Sequence, residues 1–410
     1  MQIRRVVITG VGAITPFGPG VDRLIAALAA GQSGISVLPA PAYRNDNEAV
    51  PQIAGRVTDI DVSTIARKHR RTMSPMSLYA VLAAQEALTQ AQLPLENINN
   101  PRFGIIVGST MGSVEAYQSV FENYLPEHRF DTVKTSAFFK MMGHTVASNL
   151  AQMLGVTGRV MALSAACASG AQSVGAAFEA IACGAQDIML CGGADELHPL
   201  TIATFDLMSA ASRHYNDRPE CTPRPFDKDR DGVVCSEGVG LLLLESYDSA
   251  QQRGATILGE VAGFTSASDT SSIASPAPEP LLACMQSALA SARLDISDVS
   301  YINAHATGTR SGDIAESQAI RMLCQQHIPV SSLKGHLGHT MAASGAIELI
   351  ACLAMMQRNT LFPTRNLVSP DEQCQGIQHV QSQLSTRVNT VIKNSFALGG
   401  VISSLVLRKL

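Results

Sequence analysis

Short runs of β-branched or leucine-rich residues alternate along this chain with segments of helical periodicity, and that alternation restricts the possible folds more than any other feature. The runs are Arg5–Gly10 (RVVITG), Phe103–Gly108 (FGIIVG), Asp187–Gly192 (DIMLCG), Val239–Glu245 (VGLLLLE), Ile257–Gly263, Val299–Ala304, Thr390–Asn394 and Ser403–Arg408. Continuously apolar runs of this length are predicted as strands buried on both faces, which requires helices on either side of the sheet. Helical patterns lie between many of them, at Ser77–Ala91, Ala171–Ala182, Glu279–Ala292 and Ala346–Met356. The alternation occurs once before about residue 250 and again after it, so two similar α/β halves are expected, residues 1–250 and 251–410. No direct repeat of residues is evident between them.

Composition narrows the class. Hydrophobic residues make up 46% of the 410 and charged residues 16%, which suits a large core and excludes disorder. A net charge of −4 gives the whole chain no affinity for nucleic acid. The 9 cysteines are odd in number and form no CxxC pair, so neither a disulfide framework nor a zinc ribbon is expected. The opening MQIRRVVITGVG is broken too early by glycine to read as a signal peptide. No apolar run approaches the about 20 residues of a membrane span. A cytoplasmic protein is expected.

One cysteine stands apart. Ser164–Gly170 reads SAACASG, behind the apolar run Val160–Leu163 and ahead of a helical pattern of small residues. A thiol at a helix N-terminus is expected to have a lowered pKa, because the dipole and free N–H groups favour thiolate. The small neighbours resemble the open turn of a nucleophile elbow, where the backbone N–H of Cys167 could face an oxyanion. A nucleophilic cysteine needs a basic partner, usually histidine. His305, in NAHATGT, ends an apolar strand, and His339, in KGHLGH, precedes the small-residue stretch TMAASG. Strand ends of an α/β sheet are where ligands bind.

Six motifs in order, RVVITGVGAITPFG, SAACASG, TPRPFDKDRDGVVCSEGVG, NAHATGTRSGD, KGHLGHTMAASGA and NSFALGG, resemble those of the β-ketoacyl-acyl-carrier-protein synthases, condensing enzymes of the thiolase superfamily. The resemblance runs nearly end to end and implies a five-layer α/β/α/β/α thiolase-like fold. It implies that Cys167 carries the acyl group as a thioester, and that His305 and His339 promote decarboxylation of a malonyl extender and stabilise the enolate. Lys334 matches the family's active-site lysine and Glu316 its carboxylate partner. The resemblance implies that Leu398 supplies the second oxyanion N–H beside that of Cys167, and that Thr307 and Thr309 bond the pantetheine arm. The resemblance puts Met111, Phe139, Phe396 and Leu398 on the acyl pocket, with Met111 or the segment Phe138–Met142 reaching toward a partner's tunnel. Lys68 and Arg71, within the basic run Arg67–Arg71, match the carrier-docking region. The resemblance implies no metal or organic cofactor, since substrates arrive on a phosphopantetheinyl acyl carrier protein. It implies a homodimer, or a heterodimer with a related ketosynthase-like or chain-length-factor subunit.

Departures from the pattern are specific. Leu398 stands where the family carries a second aromatic, and Val401-Ile402 where it carries Thr-Asn. They suggest a specialised ketosynthase, of polyene or polyketide type. His336 is an extra histidine read as lying behind the site. Of the rival readings, a chain-length factor would lack the nucleophile, and a thiolase would carry a second cysteine in the C-terminal glycine loop, where NSFALGG has none. A cysteine hydrolase would need no malonyl donor. Asp227–Gly232 (DKDRDG) resembles a calcium loop, but its twelfth position is Gly238 and not glutamate. Gly10-Val11-Gly12 lacks the third glycine of a dinucleotide fingerprint.

Overall fold

Helices and sheets stack in five layers. The computed structural model describes residues 3–40, 42–43, 50–324 and 327–410. The first half runs through β1 (Val6–Thr15), α1 (Pro75–Gln90), β2 (Phe103–Gly108), α2 (Thr145–Leu154), β3 (Val160–Met161), α3 (Ser169–Ala182), β4 (Ile188–Asp195) and β5 (Gly238–Ser246). The second runs through β6 (Gly259–Ser268), α4 (Pro278–Ala292), β7 (Tyr301–Asn303), α5 (Arg310–Cys324), β8 (Pro329–Ser331) and α6 (Ser344–Arg358). It ends with β9 (Gln378–His379), β10 (Thr390–Phe396) and β11 (Val401–Arg408).

The strand order is β9-β8-β7-β10-β11-β6-β1-β5-β4-β2-β3. In each half the outer strands are parallel and the inner ones antiparallel: β2 runs parallel to β3 and β4, and β7 to β8 and β10. The halves join where Val6–Ile8 pair with Gly259–Val261. Helix α3 packs on β2, β4 and β5 of one half and on β6 and β11 of the other, and α6 likewise bridges β4, β5 and β10. These two helices are the middle layer. Helices α1 and α2 cover the first sheet, α4 the second with α5 beside it. The five-layer α/β/α/β/α arrangement implied by the resemblance is what the chain adopts.

Small residues make the middle layer possible. A Cβ at Gly175 would collide with the ring of Phe264, and one at Gly170 with the carbonyl of Ala342. The halves also share a repeat: Ala-Ser-Gly-Ala occurs at Ala168–Ala171 and again at Ala343–Ala346. Each copy opens a central helix behind a 3-10 turn, Ala166–Ala168 or Met341–Ala343. Each turn begins on a non-glycine residue in the left-handed region, Ala166 at φ 45 and Met341 at φ 49. Such conformations are costly and persist where the surroundings fix them. The two turns face each other, and between them lies the site.

Differences from the sequence reading are local. The run Val160–Leu163 forms only the two-residue strand β3, and Val160 and Met161 are each 39% exposed because β3 is an edge with β2 on one side alone. Helices α2 and α5 were not among the helical patterns; α5 is dominated by polar residues and its apolar positions are sparse. The connection from Arg213 to Gly232 is the expected long loop, interrupted by the 3-10 turn Pro219–Cys221.

Candidate active site

Cys167 sits in the 3-10 turn at the N-terminus of α3, 5% exposed. Ser169 holds the turn: its Oγ accepts from the N–H of Ala165 at 2.8 Å and donates to the carbonyl of Ala166 at 2.7 Å. Burial pushes the thiol pKa up to about 12; Lys334 opposes the rise, the Asp195 carboxylate adds to it, and the N–H groups of Cys167 and Leu398 directed at the sulfur oppose it. The lowered pKa expected from the helix N-terminus is therefore corrected. Dehydration of the thiolate outweighs the dipole, and the resting group is a thiol.

His305 follows β7 and His339 precedes α6, both in the second half of the chain. The two rings meet edge to face at 5.3 Å between centroids, and Phe396 packs on His305 at 5.6 Å. His339 Nδ1 is 3.0 Å from Ser344 Oγ, which also contacts Thr340 Oγ1 at 3.0 Å. His339 Nε2 and His305 Nδ1 are buried without a hydrogen-bond partner. Burial, then the nearby Lys334, pushes both imidazole pKa values well below the ordinary range, with Lys393 and, for His305, the His339 ring adding to the shift. Both rings are neutral near pH 7.

A cavity of about 400 Å³ collects these groups. Cys167, His305, His339, Thr307, Thr309, Glu316, Phe396 and Leu398, all expected at the site, line it. The hydroxyls of Thr307 and Thr309 stand 3.1 Å apart on its wall. Leu398 is carried on the tight turn between β10 and β11, where Gly399 and Gly400 take φ 87 and 74. Gly400 must be glycine also because a Cβ there would strike the carbonyl of Asp269. Met111 and Phe139 do not join the cavity; they are 51% and 47% exposed on the surface of this chain. Lys68 and Arg71 are exposed at the short helix Arg67–Arg70 and its C-terminal cap.

One assignment is corrected. The carboxylate paired with Lys334 is Glu348, on α6, at 2.6 Å from Nζ. Glu316, on α5, instead accepts from the backbone N–H groups of His305 and Ala306 at 2.9 and 2.8 Å and from Asn394 Nδ2 at 3.1 Å. It clamps the turn that presents His305. A second buried lysine, Lys393 on β10, lies 2.8 Å from the other oxygen of Glu348, an ion contact whose angles fall outside hydrogen-bond geometry. Lys334, Glu348 and Lys393 have side chains no more than 2% exposed. Glu348 and Lys393 escaped the sequence reading, although each is a lone charge in an apolar run (AIELIACLAMM and TVIKNSF), and such charges are buried only with partners. Also missed were Ser344, which orients His339, and Asp195, whose Oδ2 accepts from the N–H of Ala342 at 2.8 Å.

The motifs set aside are accounted for. Asp227, first in the calcium-like loop, spends its oxygens on the N–H groups of Asp229, Val368 and Ser369 and on Arg224. His336 lies between the carbonyls of Gln32 and Pro363, outside the cavity lining. Among the described residues no group of three His, Cys, Asp or Glu side chains is arranged to hold a metal, and no helix is long and apolar enough to cross a membrane.

The family model for the β-ketoacyl synthase N-terminal domain matches residues 3–250, and that for the C-terminal domain matches residues 258–368. The 3-oxoacyl-[acyl-carrier-protein] synthase 1 of Escherichia coli is 34% identical over all of both chains. The crystal structure of a beta-ketoacyl synthase from Burkholderia phymatum superposes with a TM-score of 0.94 at 38% identity, covering 99% of this chain and 100% of that one. A second structure, a type II PKS acyl-carrier protein in complex with its ketosynthase bound to the hexaketide, gives a TM-score of 0.91 at 30% identity with both chains fully covered. A buried thiol and two neutral imidazoles in one cavity, within a chain matched from end to end by condensing enzymes, place the protein in the β-ketoacyl synthase family.

Proposed function

We propose that this cavity carries out the decarboxylative Claisen condensation of an acyl group held on Cys167 with a malonyl thioester delivered by an acyl carrier protein. The observation that carries the reading is the meeting of Cys167, His305 and His339 in one cavity, with the ring nitrogens His305 Nδ1 and His339 Nε2 buried and unpartnered. Buried polar atoms without partners cost free energy, and at a cavity wall they mark where a ligand's polar atoms go.

In the first half-reaction the sulfur of Cys167 attacks the acyl thioester carbonyl. The N–H groups of Cys167 and Leu398 stabilise the tetrahedral oxyanion, the pantetheine thiolate leaves, and the proton of Cys167 passes to it through an imidazole. In the second, the malonyl C–C bond breaks, CO2 departs, and the electron pair moves into an enolate. Neutral imidazoles donating from their N–H groups stabilise its oxygen. The α-carbon then attacks the acyl carbonyl and expels the Cys167 thiolate. With a thiol pKa pushed up to about 12, that thiolate takes up one proton, which balances the charge of the lost carboxylate. The chemistry draws on no metal or organic cofactor.

The pantetheine arm lies along Thr307 and Thr309, and the carrier docks on the basic surface of Lys68 and Arg71. A second copy, or a related ketosynthase-like subunit, covers the exposed edge strand Val160–Met161 and brings the partner's Met111 and Phe139 counterparts toward the acyl group. The biosynthetic setting is fatty-acid or polyketide elongation.

The test separates the half-reactions. Cys167→Ala abolishes condensation because the acyl anchor is gone. His305→Ala retains acylation of Cys167, read by mass spectrometry, while malonyl-carrier decarboxylation falls by at least a hundredfold. Equal loss of both steps in His305→Ala would sink the assignment.

A further inference from the structure

Two buried lysines meet on one carboxylate behind the site. Lys334 Nζ lies 2.6 Å from one oxygen of Glu348 and Lys393 Nζ 2.8 Å from the other. Lys393 Nζ also donates to Ser395 Oγ at 2.7 Å. Two ammonium groups thus share one carboxylate in a fully enclosed setting. A single Lys334–Glu348 pair would already be neutral, and adding a second cation to a dry interior carries a further desolvation cost. Methionine has nearly the same length and volume and would fill the space without that cost. Packing therefore does not account for lysine at this position.

Its location does. Lys393 is on β10, the strand whose end supplies Phe396 against His305 and then the turn bearing Leu398. The next residue, Asn394, bonds Glu316, which clamps the His305 turn. The charged and titratable groups around Lys393 are Glu348 and Cys352 from α6, Lys334 from the turn before it, and the rings of His305 and His339; Glu316 of α5, bonded to the adjacent Asn394, faces Lys334, and Tyr301 of β7 faces Glu348 and Cys352. Burial lowers the pKa of Lys393, and Glu348 opposes that shift.

We propose that Lys393 is an electrostatic positioning residue of the condensing site: by sharing Glu348 with Lys334 it gives that three-residue group a net positive charge behind the two imidazoles, while the other buried carboxylate there, Glu316, is engaged by the backbone N–H groups of the His305 turn. This rests on the condensation reading. When CO2 leaves, negative charge appears on the malonyl thioester oxygen, and a fixed buried cation stabilises it without reorganising. The same charge opposes proton uptake by the rings and keeps them neutral, in line with the contribution of Lys393 to their depressed pKa values, after burial and Lys334.

The experiment uses the full-length enzyme and two variants. Lys393→Met removes the excess charge and leaves a neutral Lys334–Glu348 pair. Lys393→Met/Glu348→Gln removes the carboxylate as well, which restores a net single positive charge on Lys334. Lys393→Met is expected to fold with wild-type or greater stability and to lose about tenfold to a hundredfold in kcat for malonyl-carrier decarboxylation, with KM nearly unchanged. Its acid limb should move to higher pH, because imidazoles relieved of a neighbouring cation protonate more readily. The double variant should return the acid limb toward its wild-type position. A limb unmoved in Lys393→Met, a double variant that only adds a second loss, or a Lys393→Met protein without a cooperative unfolding transition would each overturn the proposal. Wild-type enzyme inert toward malonyl carrier would instead sink the condensation reading and this assignment with it.

Discussion

Replacing Glu316 by glutamine distinguishes a clamp from a chemical participant. Glu316 is fully buried, and its two oxygens accept three hydrogen bonds, from the N–H groups of His305 and Ala306 and from Asn394 Nδ2, at 2.9, 2.8 and 3.1 Å. Glutamine has one acceptor oxygen. Its best placement keeps that oxygen toward His305 and Asn394, which leaves its NH2 facing the N–H of Ala306, donor against donor. An unsatisfied buried donor costs about 1–3 kcal/mol, and the two remaining bonds lose their charge assistance. Relief of carboxylate burial, which raises the pKa of Glu316, returns part of that. A net destabilisation of about 2–3 kcal/mol follows. The His305 ring loses its fixed presentation, so decarboxylation falls while Lys334, paired with Glu348, keeps its place. Calorimetric scans of Glu316→Gln should show a lower unfolding midpoint, and stopped assays a lower decarboxylation rate at every pH with an unchanged pH profile. A variant as stable as wild type that lost one limb of the profile would refute the clamp and make Glu316 a titrating group in the reaction.

Two further predictions follow from charge and burial. Alkylation at Cys167, followed by mass spectrometry of its peptide, should accelerate about tenfold per pH unit from pH 7 to beyond 10, because a pKa of about 12 leaves little thiolate below that; a plateau near pH 9 would contradict the dry environment inferred for the sulfur. Lys68→Glu and Arg71→Glu should raise the KM for acyl carrier protein about tenfold at low ionic strength, the gap narrowing at high salt as screening removes steering; a salt-independent effect would place the dock elsewhere.

Why some of this was legible in the sequence and some was not has a physical answer. Strands β2, β4 and β5 were readable because both faces are buried, so all their residues are apolar or small except Asp195 and Glu245 near the strand ends. The edge strand β3 was over-read for the opposite reason: its apolar residues suit a surface exposed on this chain, and periodicity carries no information on what covers them. His305 was found because it follows β7 at the sheet end where α/β proteins bind ligands, and Cys167 because it opens a helix of small residues behind an apolar run. The internal repeat passed unnoticed because only Ala-Ser-Gly-Ala survives of it, and short small-residue strings are common in a chain with 32 glycines.

The partner of Lys334 was misassigned for a reason worth generalising. Glu316 follows His305 by eleven positions and sits in a motif, whereas Glu348 stands alone in an apolar helix. Motif proximity favoured the first, but desolvation favours the second: an isolated carboxylate in the middle layer of a five-layer stack cannot reach water, so a cation must come to it. By the same argument the lysine in TVIKNSF had to meet that carboxylate, since no strand buried on both faces can release an ammonium to solvent. Had lone charges in apolar runs been matched with each other before motifs were consulted, the Lys334–Glu348–Lys393 group would have been predicted whole. The second lysine on one carboxylate would then have stood out as the one feature that folding alone does not require.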